Sequence, residues 1–550
     1  ALSPVALHKS DIGAVRLNLS AGSVLEEAAQ DIAARLAAAE LPGAGFLVEE
    51  MAAPGVELVI GGMTDPQLGP MLMLGTGGIH AEVLNDAVFR LCPISADDAA
   101  EMIAELRSAP ILRGARGRAA ADLAAIEAAL MALGGPEGLF TRHAALIDEF
   151  DLNPVIARPD GLVAVDARIV LHPAARGAGP AAPRRPATDL APLFSPRSIA
   201  VAGASASGVT AGNRFLRLLA QHGYKGAVYP IHPSAPEIEG LRAWPSLASL
   251  PGPVDYAYLT VPAPRVADVL GAPGAQVRFA QVMASAAPEQ QASWEQELSA
   301  IARAGNMRLI GPNCMGTHAP SAPFTFMEGV LTEPGAIGVA CQSGGLGMDI
   351  LRRGQALGLR FSGLVTIGNA VDLDVSDLFA HFLDDPATEV IGLYVEDVKD
   401  GARFQALARA NRGRKPVVVL VGGATGLGRA AAASHTGAMG GDGAAWAALA
   451  RQTGMILVET LDAFLDMLQL CLWLTPQAGT RPPEVALFGN GGGASVLATD
   501  ALDRAGFELA RPGPEARAAL GQIALPPGAS LANPIDLPAS VLKQEEGRVA

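Results

Sequence analysis

Apolar positions along the chain follow two periods. Residues 21–39 (AGSVLEEAAQDIAARLAAA) and 213–223 (NRFLRLLAQHG) repeat at helical spacing. Between such stretches run blocks of consecutive apolar residues that are too short for helices and predict buried strands. In the first third of the chain these are FLVEEM (46–51), VELVIGG (56–62) and LVAVDARIVL (162–171). From Ser198 the blocks alternate with helical stretches: SIAVAGAS (198–205), AVYPI (227–231), DYAYLTVP (255–262) and AQVMAS (280–285). A second set comprises AIGVACQSG (336–344), LVTIGN (364–369), VIGLYVED (390–397) and PVVVLVGG (416–423). A third opens at EVALFGNGGG (484–493) and stops soon after NPIDL (533–537). Alternation at this spacing predicts α/β domains with parallel, doubly wound sheets. Residues 172–192 (HPAARGAGPAAPRRPATDLAP) carry no amphipathic pattern and predict a linker.

Composition narrows the function. A chain of 550 residues is too long for one core. Half of its residues are hydrophobic and 17% charged, as expected of a packed globular protein. The formal charge of −15 repels a phosphate backbone and aromatics are only 5%, which together argue against nucleic-acid binding. Cys92, Cys314, Cys341 and Cys471 are widely separated, so reduced, mostly buried thiols are expected in a cytoplasmic protein. No apolar run approaches the roughly 18–20 residues that span a bilayer, and no basic-then-apolar leader is present, so no membrane contact is expected. The chain opens at Ala1 and stops at Ala550 inside a helix-like stretch, and further material at one or both ends is expected.

Three glycine-rich turns each follow a strand and open a helix: GASASG (203–208), CQSGGLG (341–347) and GNGGGAS (489–495). Glycines let a backbone approach phosphate closely, and a helix N-terminus supplies N–H groups and partial positive charge. The first turn is not a full GxGxxG and lacks the acidic residue that grips a ribose, so the phosphates of coenzyme A fit it better than a dinucleotide. Its candidates are Gly203, Ala204, Ser205, Ser207 and Gly208. Gln342, Ser343 and Gly344 in the second turn and Gly491, Gly492 and Gly493 in the third could hold a transferable phosphoryl group.

The stretch SHTGAMGGDGAAW (434–446) sets His435 in a loop of small residues, where an imidazole could swing and be approached closely. Glu396 ends the strand VIGLYVED, where a carboxylate could hydrogen-bond one imidazole nitrogen and leave the other nucleophilic. In the first segment, DLNPV (151–155) and VAVDAR (163–168) place Asn153 and Asp166 on adjacent strands, an oxygen-ligand pair suited to Mg2+ at ATP phosphates. Glu49, Glu50 and Glu57 could contact adenosine, and Arg90 phosphate.

These stretches, with GPNCMG (311–316), LYVEDVKDG (393–401) and SPVALHKSDIGAVRLNL (3–19), resemble NDP-forming acyl-CoA synthetases, the superfamily of ADP-forming acetyl-CoA synthetase and, more distantly, succinyl-CoA synthetase. The resemblance implies a partial ATP-grasp domain without its first lobe (1–172) and a linker (173–192). A Rossmann-like CoA-binding domain (193–323), a flavodoxin-like ligase domain with a phosphohistidine loop (324–478) and a second, truncated ligase domain (479–550) would follow. It further implies an acid–CoA ligase in which ATP and Mg2+ phosphorylate His435, Glu396 supports that histidine, and His8 is a second phosphate carrier near the nucleotide. Asn153 and Asp166 would hold Mg2+. The Gly203–Gly208 loop, the turn Val261, Pro262 and Ala263, and Asn313 would line the CoA site. A homo-oligomer is expected, and the linker would let the ATP module dock and undock. Placing the nucleotide module first resembles feruloyl-CoA synthetases and makes a hydroxycinnamate a candidate acid. Two other readings stay open: a CoA-binding regulatory module of a protein acyltransferase without ligase activity, and an NAD-dependent dehydrogenase.

Overall fold

A computed structural model of the chain describes residues 13–19, 22–39, 45–77, 86–117, 119–172, 188–272, 274–425, 427, 443–474, 484–489, 491–522, 530 and 532–537. The first segment carries helix α1 (Ser23–Ala38) and an antiparallel sheet of β1 (Val56–Asp65), β2 (Gly69–Thr76), β3 (Ala87–Leu91), β4 (Ile147–Arg158), β5 (Gly161–Ala164) and β6 (Ala167–Leu171). The strand order is β3-β2-β1-β4-β5, with β6 also on β4. Helices α2 (Ala96–Glu105) and α3 (Leu123–Gly134) bury Met102, Ile103, Ile126 and Leu130 in the core of this sheet. The expected strand at 46–51 does not form: residues 46–50 are exposed and outside any ladder, and the sheet starts at Val56.

One stretch, Leu123–Arg142, is long and apolar enough by composition to cross a membrane, against the expectation above. It is nonetheless broken by a turn at 135–138, and Ile126, Leu130 and Phe140 lie in the core under the first sheet.

The predicted linker ends earlier than expected. Leu190 and Leu193 are buried beside the short helix α4 (Ala191–Phe194), and Arg308 donates to the Thr188 hydroxyl. Next comes a five-stranded sheet of β7 (Ser198–Ala202), β8 (Ala227–Ile231), β9 (Val254–Leu259), β10 (Val277–Val282) and β11 (Arg308–Ile310). Its order is β11-β10-β9-β7-β8, and every pairing is parallel. Helices α5 (Ala211–Gln221), α6 (Ala263–Leu270) and α7 (Pro288–Ala304) connect its strands.

A six-stranded sheet follows, built from β12 (Thr317–His318), β13 (Ile337–Cys341), β14 (Phe361–Thr366), β15 (Val390–Val395), β16 (Val417–Val421) and β17 (Ile456–Val458). Its order is β12-β14-β13-β15-β16-β17, parallel except for the edge strand β12. Because β12 pairs here, the change of sheet falls before Thr317 and not at the expected 323. Helices α8 (Gly344–Ala356), α9 (Val375–Asp384), α10 (Gly401–Ala410), α11 (Gly443–Thr453) and α12 (Leu461–Trp473) complete this layer.

Leu68, Met71 and Leu91 of the first sheet share one hydrophobic core with Phe404 and Trp446 on α10 and α11. Burying each such side chain stabilises the contact by about 1.5–3 kcal/mol. The first sheet is therefore joined to the third by core packing.

Residues Leu474–Ala550 form a separate compact unit. Within it, β18 (Glu484–Val485) pairs in parallel with β20 (Glu508–Leu509), and β19 (Phe488–Gly489) with β21 (Ile535–Asp536). Helices α13 (Gly492–Arg504) and α14 (Pro514–Leu520) accompany them.

Candidate active site

In parallel sheets, ligands collect where strands deliver their C-terminal ends. Five strand ends of the second and third sheets meet around one cavity of about 180 Å3. Met283 follows β10, Asn313, Cys314 and Met315 follow β11, Gln342 to Gly345 follow β13, Asn369 follows β14 and Glu396 follows β15. Four of the sequence candidates, Asn313, Gln342, Ser343 and Gly344, thus come together with Glu396.

Glu396 is only 8% exposed. Its Oε1 accepts from the Tyr394 hydroxyl at 3.0 Å, two residues back on the same face of the strand. Burial, and next the Glu396 charge, push the Tyr394 phenol well above its ordinary range, so it remains a donor. The Gln342 carboxamide grips the backbone beyond the strand: Oε1 accepts from the Glu396 and Asp397 amides, the latter at 2.9 Å, and Nε2 donates to the Asp397 carbonyl at 2.9 Å. Both arms of one buried side chain are used.

Helix α8 opens on this cavity. Ser343 caps it by accepting from the Leu346 amide, and its N-terminal turn brings partial positive charge to the cavity wall. A Cβ at Gly344 would lie 2.5 Å from Met315 Cγ, so a glycine is required for the helix to start so close to the opposite wall. Asn313 takes the left-handed conformation at φ 58°, and its Nδ2 donates to Asn369 Oδ1 at 3.3 Å. Asn369 in turn donates to Glu295 at 2.7 Å. Cys314 and Cys341 border this region, but burial pushes each thiol up to about 12, which removes them as nucleophiles.

The turn at 203–208 lies at the end of β7, beside the Val261, Pro262 and Ala263 turn at the end of β9. Thr260 bonds the Ala202 carbonyl through its amide and hydroxyl, and a Cβ on Gly203 would stand 2.4 Å from Thr260 Oγ1. Asn213, a buried residue that sequence reasoning missed, accepts from the Ser205 and Thr210 amides and donates to the Ser205 carbonyl. The Ser207 and Gly208 amides point at the Ser205 hydroxyl, at 3.2 and 3.1 Å. A phosphate entering this turn has to compete with that hydroxyl.

In the first sheet Asn153 sits in β4 and Asp166 between β5 and β6, with the Asn153 amide donating to the Asp166 carbonyl at 3.2 Å. Both side chains are exposed. Burial raises the neighbouring Asp151 carboxyl; Asp166 and Glu149 add to that, and Asn153 and Arg168 oppose it. Exposed oxygen donors beside crowded negative charge fit Mg2+, which keeps several waters and bridges phosphates. Among the described residues no cluster of three or more His, Cys, Asp or Glu could hold a metal by itself. Glu49, Glu50 and Glu57 are exposed.

Arg90 is a correction. It is 2% exposed and pairs with Glu105 at 2.8 Å, Glu101 at 3.4 Å and Asp98 at 3.6 Å, so it is a buried structural cation and not an open phosphate contact. A strand arginine followed by a helix carrying three acids could have signalled this. His435 and His8 lie outside the described residues. In the separate second unit, Gly491, Gly492 and Gly493 stand at the start of α13, as the pattern predicts. Tyr394 was discoverable from its i−2 spacing to Glu396; Asn369 and Met283, as lone strand-end residues, gave no signal.

Residues 1–171 match the ATP-grasp domain family, 197–320 the CoA binding domain and 334–471 the succinyl-CoA ligase like flavodoxin domain. The chain is 32% identical over 541 residues to the ADP-forming acetate–CoA ligase II of Archaeoglobus fulgidus, covering 96% of this chain and 77% of that protein. It is 33% identical over 365 residues to a trans-feruloyl-CoA synthase from an unknown prokaryotic organism, covering 64% of this chain and 51% of that one. Among solved structures it resembles the dinucleotide-forming acetyl-coenzyme A synthetase 1 of Ca. Korarchaeum cryptofilum in complex with phosphate and ADP. The TM-score is 0.56 with 35% identity, covering 64% of this chain and 76% of that one. With this domain series and a relative matched along 96% of this chain, the chain belongs to the ADP-forming acetyl-CoA synthetase family.

Proposed function

We propose that this protein is an ADP-forming acid–CoA ligase that converts a small carboxylic acid, CoA and ATP to acyl-CoA, ADP and phosphate, with His435 carrying the phosphoryl group. A carboxylate is a poor acyl donor, so one of its oxygens must leave as phosphate before the thiol attacks. The observation that carries the reading is Glu396, held by Tyr394 and Gln342 at a cavity that also receives the N-terminus of α8. A carboxylate so held can orient an imidazole and make its far nitrogen the nucleophile. The helix N-terminus favours the phosphoryl anion. Asn153 and Asp166 would hold Mg2+, which would neutralise charge on the ATP phosphates, and the turns at 203–208 and 261–263 would receive CoA. A CoA sensor without chemistry would need neither Glu396 nor its clamp.

Cavity size supports a short aliphatic acid, since about 180 Å3 lies below the roughly 300–1,000 Å3 of pockets for larger ligands. Likeness to the feruloyl-CoA synthase favours a second reading with a hydroxycinnamate substrate. ADP release that depends on both CoA and an acid, screened over short aliphatic, dicarboxylic and hydroxycinnamic acids, tests both. Turnover with acetate or propionate is expected. Preference for ferulate would select the second reading, and no acid-dependent ADP release alongside tight CoA binding would favour the regulatory module.

A further inference from the structure

The turn joining β1 to β2 belongs to the nucleotide-side sheet, yet it ends against the strand end that carries Glu396. Its shape is local: Asp65 Oδ1 accepts from the Gln67 and Leu68 amides at 2.9 and 2.7 Å, and Gly69 closes it at φ 85°. Gln67 is 6% exposed, and its Nε2 donates to the Glu396 carbonyl at 3.0 Å. The Glu396 amide is bound on its other flank by Gln342, so carboxamides from two sheets grip this one residue. A Cβ on Gly401 would lie 1.9 Å from the Gln67 carbonyl oxygen; the joint has no room for a methyl group.

We infer that Gln67 is a positioning residue for Glu396, so that the geometry of the acyl-exchange cavity depends on the nucleotide-side sheet. The inference rests on the function proposed above. Gln67 reaches Glu396 through the backbone carbonyl and not the carboxylate. Losing its bond frees one side of the strand end, and displacements of about 1 Å at a reacting group cost on the order of 100-fold in rate.

Two half-reactions separate positioning from stability. In one, labelled ATP phosphorylates the enzyme. In the other, labelled inorganic phosphate and acetyl-CoA do so: a phosphate oxygen bonds the acyl carbon as the C–S bond breaks and the thiol leaves with a proton. The P–O bond then breaks as a P–N bond forms on His435 and acetate departs. Gln67→Met should slow the second half-reaction at least about tenfold while leaving the first within about twofold. Arg409→Met, which removes bonds to the Pro93 and Leu91 carbonyls elsewhere in the same joint, should leave the ratio of the two rates unchanged. A ratio is insensitive to the fraction folded. Equal slowing of both half-reactions in Gln67→Met, or none, overturns the inference. Wild-type enzyme labelled by neither route would instead remove the functional reading on which it stands.

Discussion

At Glu396 the local chemistry is decided by who holds the side chain and who holds the backbone. Tyr394 supplies a hydrogen bond to the carboxylate, while Gln342 and Gln67 fix the peptide groups on either side. Glu396→Gln keeps the shape but removes the charge that would stabilise an imidazolium, so acyl-CoA formation should fall by roughly 100- to 10,000-fold. Tyr394→Phe withdraws one donor and should cost less, about tenfold, with the melting temperature little changed in both variants. Steady-state rates beside thermal melts check this, and full activity in Glu396→Gln would remove the residue from the mechanism. Glu396 was legible in the sequence because an acid at the end of an apolar strand is conspicuous. Gln67 was not, because its partner is 329 residues away and a glutamine in a turn looks like any surface residue. Arg90 misled for the opposite reason: its charge was conspicuous, and the three acids on the helix that follows it, which neutralise it, were not weighed against a ligand.

Among the elements, the parallel strands and their helices were readable from apolar runs of four to eight residues, because buried strands leave little room for polar residues. The edges were harder. Strand β12 has only two residues, and its pairing with β14 moves the sheet boundary ahead of Thr317. That small strand also buries His318 near His222, and its two ring nitrogens have no hydrogen-bond partner among the described residues. Burial, and next the His222 charge, hold His318 down to about 3. Folded, it stays neutral; unfolded, it takes a proton near 6.5. The unfolded state therefore binds more protons between those values, and stability must fall as pH drops below about 6.5, levelling near 3. The loss is on the order of a few kcal/mol by pH 4.5. Urea midpoints at pH 7 and 4.5 should differ more in wild type than in His318→Leu. Parallel slopes for the two proteins would show that the ring is not the source.

For the molecule as a whole, the governing feature is a core that continues from the first sheet through α10 and α11 into the third. The texture of the sequence divides these layers but could not show that Leu68, Met71 and Leu91 are interior to the joint, since turn and strand-end apolar residues do not announce a partner. In the function proposed above, the carrier between nucleotide and acyl cavity is a smaller element, His435. The direct test is brief incubation of the protein with labelled ATP and Mg2+, or with labelled phosphate and acetyl-CoA. An acid-labile, base-stable phosphoprotein should form, discharge on adding acetate and CoA, and be absent in His435→Ala together with acyl-CoA synthesis. Label retained in His435→Ala, or acyl-CoA made at the wild-type rate without it, would contradict the account.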